Sequence, residues 1–233
     1  TGPNLEECRD VAGDTCIDFE VTSNRPDCLG HLGIAREAAV VYGKPLKVPA
    51  AAPKTGSTPI GPVTSVVNEC PDLCSQYHAR VIRGVKVGPS PAWLQRRLQT
   101  VGIASINNIV DITNYVLMEC GQPLHAFDYD RLQGRQIIVR RATGSEKIRA
   151  IDQRDYQLTD QMCVIADAER PVAVAGVMGG LDTEISPGTV NVLIEAAAFS
   201  SMSVRATARS LLLHSPSSYR FERRVDRSRL DWA

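Results

Sequence analysis

The segment Val190-Asn-Val-Leu-Ile-Glu-Ala-Ala-Ala198 is an almost uninterrupted apolar run of strand length. Such a run predicts a buried β-strand, here over residues 190–196. Short strands of similar length recur along the chain with few helices between them. This order indicates an α+β fold rather than a doubly wound parallel sheet. The other predicted strands cover residues 16–22, 77–87, 137–141, 147–151, 156–158, 163–166 and 172–177.

Helical signals interrupt the strands at four places. Pro91 favours the first turn of one helix, and Asn107 or Asn108 is a suitable N-cap for the next. Gly121 follows the last apolar residues of that second helix and predicts its end. Ser215-Pro-Ser-Ser218 predicts a polar turn after the last helix. The predicted helices cover residues 29–42, 91–102, 108–121 and 201–212.

The composition is that of a globular protein. The chain has 233 residues, of which 43% are hydrophobic, so apolar burial can offset chain entropy and disorder is excluded. No apolar run reaches the roughly 18 residues that a membrane-spanning helix needs. The 26 basic and 26 acidic residues cancel, which argues against a free-standing protein that grips nucleic acid by bulk charge. The charge is uneven, because residues 1–30 carry −5 and residues 201–233 carry +4.

The seven cysteines predict a cytoplasmic protein with free thiols. Their odd number and irregular spacing, without a signal peptide, favour a reducing compartment. Cys70 and Cys74 could begin a metal site, but no second ligand pair stands at a suitable spacing, so no metal is predicted. Because the chain opens at Thr1 without Met and stops abruptly at Ala233, we expect a segment of a longer protein.

Two glycine-flanked segments are candidates for chemistry. Gly121-Gln-Pro-Leu-His-Ala-Phe-Asp128 places His125 in a predicted loop, where an imidazole can position or polarise water. The alternative is a histidine bonded to backbone beside a buried Phe127. Ala175-Gly-Val-Met-Gly-Gly180 follows an apolar strand, and its glycines allow close approach of a ligand to backbone N–H groups. The alternative there is a tight turn between packed strands.

Three polar residues and an arginine cluster leave structural and functional interpretations open. Glu195 interrupts an apolar strand, so it either faces solvent or recognises a hydroxyl or ammonium group from inside a cavity. Thr113 and Asn114 lie mid-helix, where a hydroxyl is either filler or part of a pocket. The C-terminal arginines either meet phosphates or form a salt-bridged surface. They are Arg220, Arg223, Arg224, Arg227 and Arg229.

Five ordered motifs together resemble the B3/B4 region of the bacterial phenylalanyl-tRNA synthetase β subunit, across about residues 14–227. The resemblance implies a β-sandwich of unusual topology with flanking helices. It also implies a domain edge over residues 1–14 and one editing domain over residues 15–233. Within that domain, the composition of residues 46–63, which are rich in Pro, Ala, Gly and Ser, predicts a linker-like stretch. The motifs are Thr22-Ser-Asn-Arg-Pro-Asp-Cys-Leu-Gly-His-Leu-Gly-Ile-Ala-Arg-Glu37, Ile109-Val-Asp-Ile-Thr-Asn-Tyr-Val116, Gly121–Asp128, Ala175–Gly180 and Tyr219-Arg-Phe-Glu-Arg223.

The resemblance implies post-transfer editing, which is hydrolysis of tyrosine wrongly esterified to tRNA(Phe). A hydrophobic synthetic pocket cannot strongly reject an isostere that adds one hydroxyl, so a second site must select for that hydroxyl. The implied partners are the tRNA(Phe) 3′ end, the α subunit in an α2β2 heterotetramer and other β-subunit domains. ATP and Mg²⁺ belong to the parent ligase, and no cofactor is expected in this segment. The alternatives are an editing-deficient scaffold for tRNA binding and subunit assembly, or a free-standing trans-editing protein.

The family's editing residues map onto positions of this sequence. His125 is implied to orient the attacking water beside the ester, and Glu195 to accept a hydrogen bond from the tyrosine hydroxyl. Gly176 is implied to donate its N–H to the same hydroxyl. The implied substrate-binding residues are Thr113, Asn114, Gly176, Gly179, Ser215 and Ser217.

The sequence departs from the family's pattern at the implied pocket. Ala104-Ser105 stand where an Arg-Pro pair is usual, which removes a cation from the pocket rim. Ser217 replaces a small apolar residue, Tyr219 replaces a histidine and Arg224 replaces a glycine. These departures bear on the rate or stringency of editing rather than on the fold.

Overall fold

The computed structural model describes residues 3–11 and 13–233, and it confirms the α+β fold. The α-helices within those residues are α1 (His31–Val41), α2 (Ala92–Thr100), α3 (Asn108–Cys120), α4 (Ser201–Ser210) and α5 (Pro216–Phe221). The strands are β1 (Asn4–Val11), β2 (Asp14–Glu20), β3 (Ser65–Asn68), β4 (Cys74–Arg83), β5 (Leu124–Asp128), β6 (Gln136–Arg141), β7 (Lys147–Arg149), β8 (Asp155–Gln157), β9 (Cys163–Ala166), β10 (Pro171–Val174), β11 (Met178–Gly179) and β12 (Asn191–Phe199).

The apolar run that predicts a strand over residues 190–196 forms β12, the middle strand of a three-stranded sheet. The order of this sheet is β4-β12-β5, and both neighbours run antiparallel to β12. A middle strand has its backbone donors and acceptors paired on both edges, which suits an apolar sequence. Glu195 stands opposite Ala79 on one side and opposite His125 on the other.

A second sheet packs against the same core. Its order is β11-β10-β9-β6-β3, with β3 parallel to β6 and the remaining pairs antiparallel. The two sheets contribute to one hydrophobic cluster, which is the arrangement expected of a β-sandwich. The buried side chains of this cluster include Phe127 and Leu193 from the first sheet, and Val139, Ile165 and Val174 from the second.

Helix α3 packs on the outer strand β5 of the three-stranded sheet. Its predicted ends are confirmed. The Asn107 side chain accepts hydrogen bonds from two backbone N–H groups of the first turn, and Gly121 closes the helix with a φ of 79°. The sequence thereby fixes how the chain leaves α3 and enters β5.

The polar turn predicted at residues 215–218 is wrong, because Pro216–Phe221 forms the short helix α5. Ser215 and Ser218 make a reciprocal capping box, and Pro216 occupies the first helical turn. Serine and proline therefore start a helix here, which a reading of them as turn residues misses.

The N-terminal segment forms the antiparallel hairpin β1–β2, in which Val11 pairs with Asp14, so β2 begins at the predicted domain edge. The division into residues 1–14 and 15–233 stays a prediction. Residues 46–63, the predicted linker, contain neither helix nor strand. None of the helices in the described part of the chain is long and apolar enough to cross a membrane.

Candidate active site between His125 and Glu195

His125 lies in strand β5, so the loop predicted for it is wrong. The strand is only five residues long and starts directly after Pro123, and this short Leu-His-Ala-Phe-Asp stretch carries too weak a pattern to be recognised alone. It becomes a strand because β12 offers it an edge with which to pair. The imidazole is thus held on a sheet rather than on a mobile connection.

Glu195 and His125 are direct cross-strand partners. Directly opposed residues of an antiparallel pair point to the same face, with Cβ atoms about 4.5–5.5 Å apart. Glu195 is only 6% exposed, which settles the choice between a solvent-facing and a buried carboxylate. The fold therefore brings together the two residues assigned to catalysis, although 70 positions separate them in the sequence.

Tyr77 completes this cluster, and the sequence analysis did not identify it. Its hydroxyl donates a hydrogen bond of 2.7 Å to Oε2 of Glu195. Tyr77 lies on β4 and His125 on β5, the two neighbours of β12. Tyr77 is paired with Ala197 and His125 with Glu195, and alternate residues of a strand point to the same face, so the three side chains share one face of the sheet. In the sequence Tyr77 is marked only as part of the strand predicted over residues 77–87, and the folded structure then pairs that strand with the one that carries Glu195.

Burial sets the ionisation of all three groups. It raises the pKa of Glu195 to about 7, and the hydrogen bond from Tyr77 partly opposes this rise. Burial and then the charge of Glu195 raise the pKa of Tyr77 well above its ordinary value. Burial lowers the pKa of His125 to about 4, so its imidazole is neutral at pH 7.

The imidazole of His125 is packed on two sides and has a free nitrogen. Its Nε2 is buried and has no hydrogen-bond partner among the described residues. The Phe127 ring meets the imidazole edge-on, with centroids 4.4 Å apart. A Cβ atom on Gly179 would lie 2.4 Å from Cε1 of His125, so only glycine leaves room for the ring. An unpaired buried nitrogen is uncommon, and a catalytic role is one of its explanations.

The second glycine, Gly176, lies in the connection from β10 to β11 with a φ of 70°. A Cβ atom there would approach Phe199, Phe221 and Val204 to 3.0 Å, so this backbone passes close to the core. Ser215 lies beside the same connection, because its hydroxyl donates a 2.9 Å hydrogen bond to the Val177 carbonyl.

A surface cleft of about 310 Å³ opens next to Ser215. Its lining includes Ser215 and Tyr219, one of the departures from the family pattern, but not His125, Glu195 or Ser217. The full lining is His214, Ser215, Pro216, Ser218, Tyr219 and Glu222.

Thr113 and Asn114 lie on α3. The Thr113 side chain is buried, and its hydroxyl donates to the Val110 carbonyl within the helix at 2.7 Å. Asn114 is half-buried. Among the described residues, neither side chain makes a hydrogen bond to His125 or Glu195. Thr113 and Asn114 are linked to the site through the packing of their helix, α3, on strand β5, which carries His125.

Comparison with known proteins identifies the family. The model of the B3/4 domain matches residues 73–233, which is more than half of the chain. The chain belongs to the B3/4 domain family. The matched range contains β4, β5 and β12 and therefore every residue of the His125–Glu195 cluster.

Relatives of this B3/4 domain chain are phenylalanine–tRNA ligase beta subunits, which confirms the predicted family resemblance. The protein of Rhodopirellula baltica is 53% identical over the whole chain, and that of Moorella thermoacetica is 53% identical over 91% of it. The chain spans 34% and 26% of their lengths. An N-terminal fragment of the phenylalanyl-tRNA synthetase beta subunit from Pyrococcus horikoshii aligns over 88% of this chain and 64% of that fragment, with 16% identity and a TM-score of 0.45.

One departure from the family pattern is built into a buried network of the B3/4 domain. The Asp111 carboxylate is fully buried and accepts hydrogen bonds of 2.5 Å from the hydroxyls of Ser90 and Ser105. It also accepts one of 2.8 Å from the Ile106 N–H. Ser105 therefore fastens the connection between α2 and α3, a role that the sequence analysis did not assign.

The arginine cluster contacts the chain itself at two positions. Arg220 donates to the Leu29 carbonyl at 3.1 Å, and Arg223 pairs with Glu222 and stacks over the Tyr219 ring. The Arg223 contact agrees with the salt-bridged interpretation, whereas Arg220 bonds to backbone carbonyls.

Potential metal ligands also have other contacts. Among the described residues, Asp27, Cys28 and Glu37 have ligand atoms within 4.8 Å of one another. Arg25 already pairs with both carboxylates of this group, at 2.9 and 2.6 Å. We therefore interpret the group as an ion-pair cluster.

Proposed function

We propose that this chain is part of a phenylalanine–tRNA ligase β subunit and that its His125–Glu195 site hydrolyses tyrosyl-tRNA(Phe). The similarity to β subunits along the whole chain supports the first half of this proposal. The observation that carries the second half is a buried carboxylate directly opposite an imidazole whose Nε2 has no hydrogen-bond partner in the described part of the chain. Such a pair can bind a hydroxyl and a reacting group next to each other.

Glu195 supplies the discrimination. In the proposed complex its carboxylate accepts a hydrogen bond from the phenol of the tyrosyl group. Phenylalanine has no such donor, and its binding would leave the desolvated carboxylate without the second partner, which costs about 1–3 kcal/mol or more for a charged group. Glu195 already accepts a hydrogen bond of 2.7 Å from the phenol of Tyr77, so its environment is compatible with this type of bond.

His125 positions water rather than acting as a strong base. A neutral imidazole with a pKa of about 4 is a weak proton acceptor, but its nitrogen can orient a water molecule by a hydrogen bond. In the proposed reaction the water oxygen adds to the ester carbonyl, and the bond from that carbon to the ribose oxygen breaks. The proton of the water ends on the ribose oxygen, which leaves free tyrosine and an intact tRNA 3′ end.

The remaining residues of the proposed site enclose the aminoacyl-adenosine end. We assign substrate contacts to Gly176 and Gly179 through their backbone, and to Thr113 and Asn114 on α3. Ser215 and Ser217 belong to the same proposed pocket, because Ser215 bonds to the connection that carries Gly176. The α subunit, the tRNA 3′ end, ATP, Mg²⁺ and a cytoplasmic location are proposed for the parent ligase.

A deacylation assay on the assembled ligase tests this function. Tyrosyl-tRNA(Phe) and phenylalanyl-tRNA(Phe) are supplied to wild type, His125→Ala and Glu195→Ala. We expect wild type to hydrolyse only the tyrosyl ester, and Glu195→Ala to lose about 10- to 100-fold of that rate. His125→Ala is expected to lose about 100-fold. Wild-type hydrolysis no faster than buffer, or variants equal to wild type, would contradict the proposal.

Two matched control variants belong to the assay. His78→Ala removes an exposed imidazole that neighbours Tyr77 on β4 but points to the opposite face of the sheet. Asp152→Ala removes an exposed carboxylate that also accepts a hydrogen bond from a phenol, that of Tyr156. Both controls are expected to keep the wild-type rate, so a rate loss in them would indicate general damage rather than a specific site.

A scaffold without editing activity is the second candidate, and one observation favours it. Tyr77 contacts Glu195, and Gly179 contacts the His125 ring, so both groups already have neighbours within the chain. A scaffold predicts intact subunit assembly and tRNA affinity in both site variants together with no deacylation by wild type. Editing predicts the same assembly with deacylation that depends on both residues.

A further inference from the structure

We propose that Tyr77 is a positioning residue for Glu195: its hydroxyl holds one carboxylate oxygen, keeps the group anionic and leaves the other oxygen to the substrate phenol. This inference rests on the proposed function and deepens it, because it assigns the two oxygens of one carboxylate to two different phenols. Tyr77 itself touches neither the ester nor the attacking water in this scheme.

The geometry of the sheet produces this contact. Tyr77 stands opposite Ala197, and Glu195 stands opposite Ala79, so Tyr77 and Glu195 are diagonal neighbours on β4 and β12. Diagonal neighbours lie about 7–8 Å apart, within reach of an aromatic side chain. Because Ala79 and Ala197 are small, the Tyr77 ring can lie across them and place its oxygen 2.7 Å from Oε2 of Glu195.

Four titratable side chains lie around Glu195. Cys74 and Tyr77 face it from β4, His125 faces it from β5, and the Cys163 thiol, whose pKa the charge of Glu195 helps to raise, lies nearby in the second sheet. None of these four is a cation at pH 7, since His125 has a pKa of about 4. Burial raises the pKa of Glu195, and the hydrogen bond from Tyr77 is the contact that opposes this rise.

The ionisation state matters for selection of the substrate. A carboxylate is an acceptor only, and a hydrogen bond to it is about twice as strong as one between neutral groups. A protonated Glu195 would be a weaker acceptor and could also donate, which reduces its preference for a phenol. With its pKa near 7, the loss of one hydrogen bond decides which form predominates at neutral pH.

The test is the pH profile of kcat/KM for tyrosyl-tRNA(Phe) hydrolysis by the assembled ligase. Tyr77→Phe is expected to move the acidic limb to higher pH. Because the pKa of Glu195 starts at about 7, a rise of one pKa unit lowers the rate at pH 7 by about fivefold. The rate is expected to recover at alkaline pH, where Glu195 is ionised in both proteins. A purely structural role for Tyr77 would instead lower the rate equally at every pH. Tyr156→Phe, which removes an exposed phenol bonded to Asp152, is the matched control and should keep the wild-type profile.

A second variant keeps the test decisive if Tyr77→Phe does not fold. Incorporation of 3-fluorotyrosine at position 77 preserves the shape of the ring and makes its hydroxyl a stronger donor. The acidic limb is then expected to move to lower pH, opposite to the shift in Tyr77→Phe. An unchanged limb in the fluorinated protein overturns the inference.

Infrared titration separates this inference from the proposed function. The carbonyl band of protonated Glu195, identified by its absence in Glu195→Gln, reports the ionisation of Glu195 without any substrate. If wild type does not hydrolyse the tyrosyl ester, the proposed function fails whatever the band does. If wild type does hydrolyse it but neither the band nor the pH profile responds to position 77, the inference fails alone. A shifted band with an unchanged pH profile also overturns it.

Discussion

Two tyrosine–carboxylate pairs in this protein form the same kind of hydrogen bond, but the pKa values of their carboxyl groups are shifted in opposite directions. Tyr77 donates to Glu195 at 2.7 Å, and Tyr156 donates to Asp152 at 2.6 Å. Burial raises the pKa of Glu195 to about 7, whereas the bond from Tyr156 holds the pKa of exposed Asp152 below its usual range. In both pairs the hydrogen bond favours the anion, so the difference comes from desolvation.

The comparison shows which pair can respond at neutral pH. Asp152 stays charged there, because solvent and the hydrogen bond both favour its anion. Glu195 is balanced between its two forms, because burial and the hydrogen bond oppose each other. A carboxylate in that balance is sensitive to any group placed next to it, which is the property that a recognition site needs.

The largest expected effect is on how the free energy of unfolding depends on pH, and it tests whether Glu195 and Asp152 differ as described. The folded pKa of Glu195 lies above its ordinary 4.5, so between pH 4.5 and 7 the folded state binds more protons and stability falls as pH rises. His125 acts oppositely, because its folded pKa of about 4 lies below 6.5 and stability rises with pH between those values. The two contributions cancel in part between pH 4.5 and 6.5.

Glu195→Gln removes one side of this cancellation. We expect the free energy of unfolding of the variant to rise from pH 4.5 to 6.5 relative to wild type, by about 3 kcal/mol at most. Urea unfolding at several pH values measures the difference. Asp152→Asn is the control, whose difference from wild type should stay nearly constant over this range. A Glu195→Gln profile parallel to wild type would show that Glu195 is not desolvated in solution.

The next effect concerns the hydrogen bond itself. Tyr77→Phe leaves the buried carboxylate without its donor, and we expect a loss of about 2 kcal/mol in the free energy of unfolding at pH 8, where Glu195 is charged. At pH 5 the loss should be smaller, since a neutral carboxyl group forms a weaker bond. Equal losses at both pH values would mean that packing of the Tyr77 ring, rather than the hydrogen bond from its hydroxyl to the charged Glu195, stabilises the fold around this pair.

A smaller effect is expected from the packing beside His125. Gly179→Ala places a Cβ atom 2.4 Å from Cε1 of the imidazole, so the ring must shift. Because a side chain can move more easily than backbone, we expect a cost near the lower end for overpacking, about 1 kcal/mol. Tyrosyl-tRNA hydrolysis should fall more than stability does. Gly144→Ala, which meets nothing within 4 Å, is the control in both the unfolding and deacylation measurements.

The smallest effect is expected at the exposed pair. Tyr156→Phe removes a hydrogen bond that water can replace, so the free energy of unfolding should change by less than about 0.5 kcal/mol. Urea unfolding beside Tyr77→Phe makes the comparison direct. A loss at Tyr156 as large as that at Tyr77 would contradict the claim that desolvation separates the two pairs.

Local signals were read correctly where the physics is local. The ends of α3 follow from the Asn107 cap and the Gly121 end, whose hydrogen bonds and φ involve neighbouring residues only. The signals failed where a neighbour in space decided the outcome. The sequence predicts a loop at His125 because the five residues after Pro123 carry too weak a strand pattern, and they form β5 because they pair with β12. Ser215 and Pro216 fit a turn or a helix start, and in the structure Ser215 caps α5 while its hydroxyl donates to the Val177 carbonyl.

The candidate site shows the same division. The family resemblance selects His125 and Glu195, but a strand sequence with Glu195 in it is equally compatible with a solvent-facing carboxylate. Tyr77 carried no signal of its own, because nothing in its local sequence refers to a residue 118 positions away.

The sequence by itself determined the strand-rich α+β class, the apolar run of β12, the limits of α3 and the family, because repeated patterns and ordered motifs carry that information. Only the tertiary structure decided that Glu195 is buried, that His125 faces it and that Tyr77 bonds to it. The alternation of side chains along a strand fixes which residues share a face. Which face loses its water depends on the second sheet that packs there, and that contact exists only in the folded molecule.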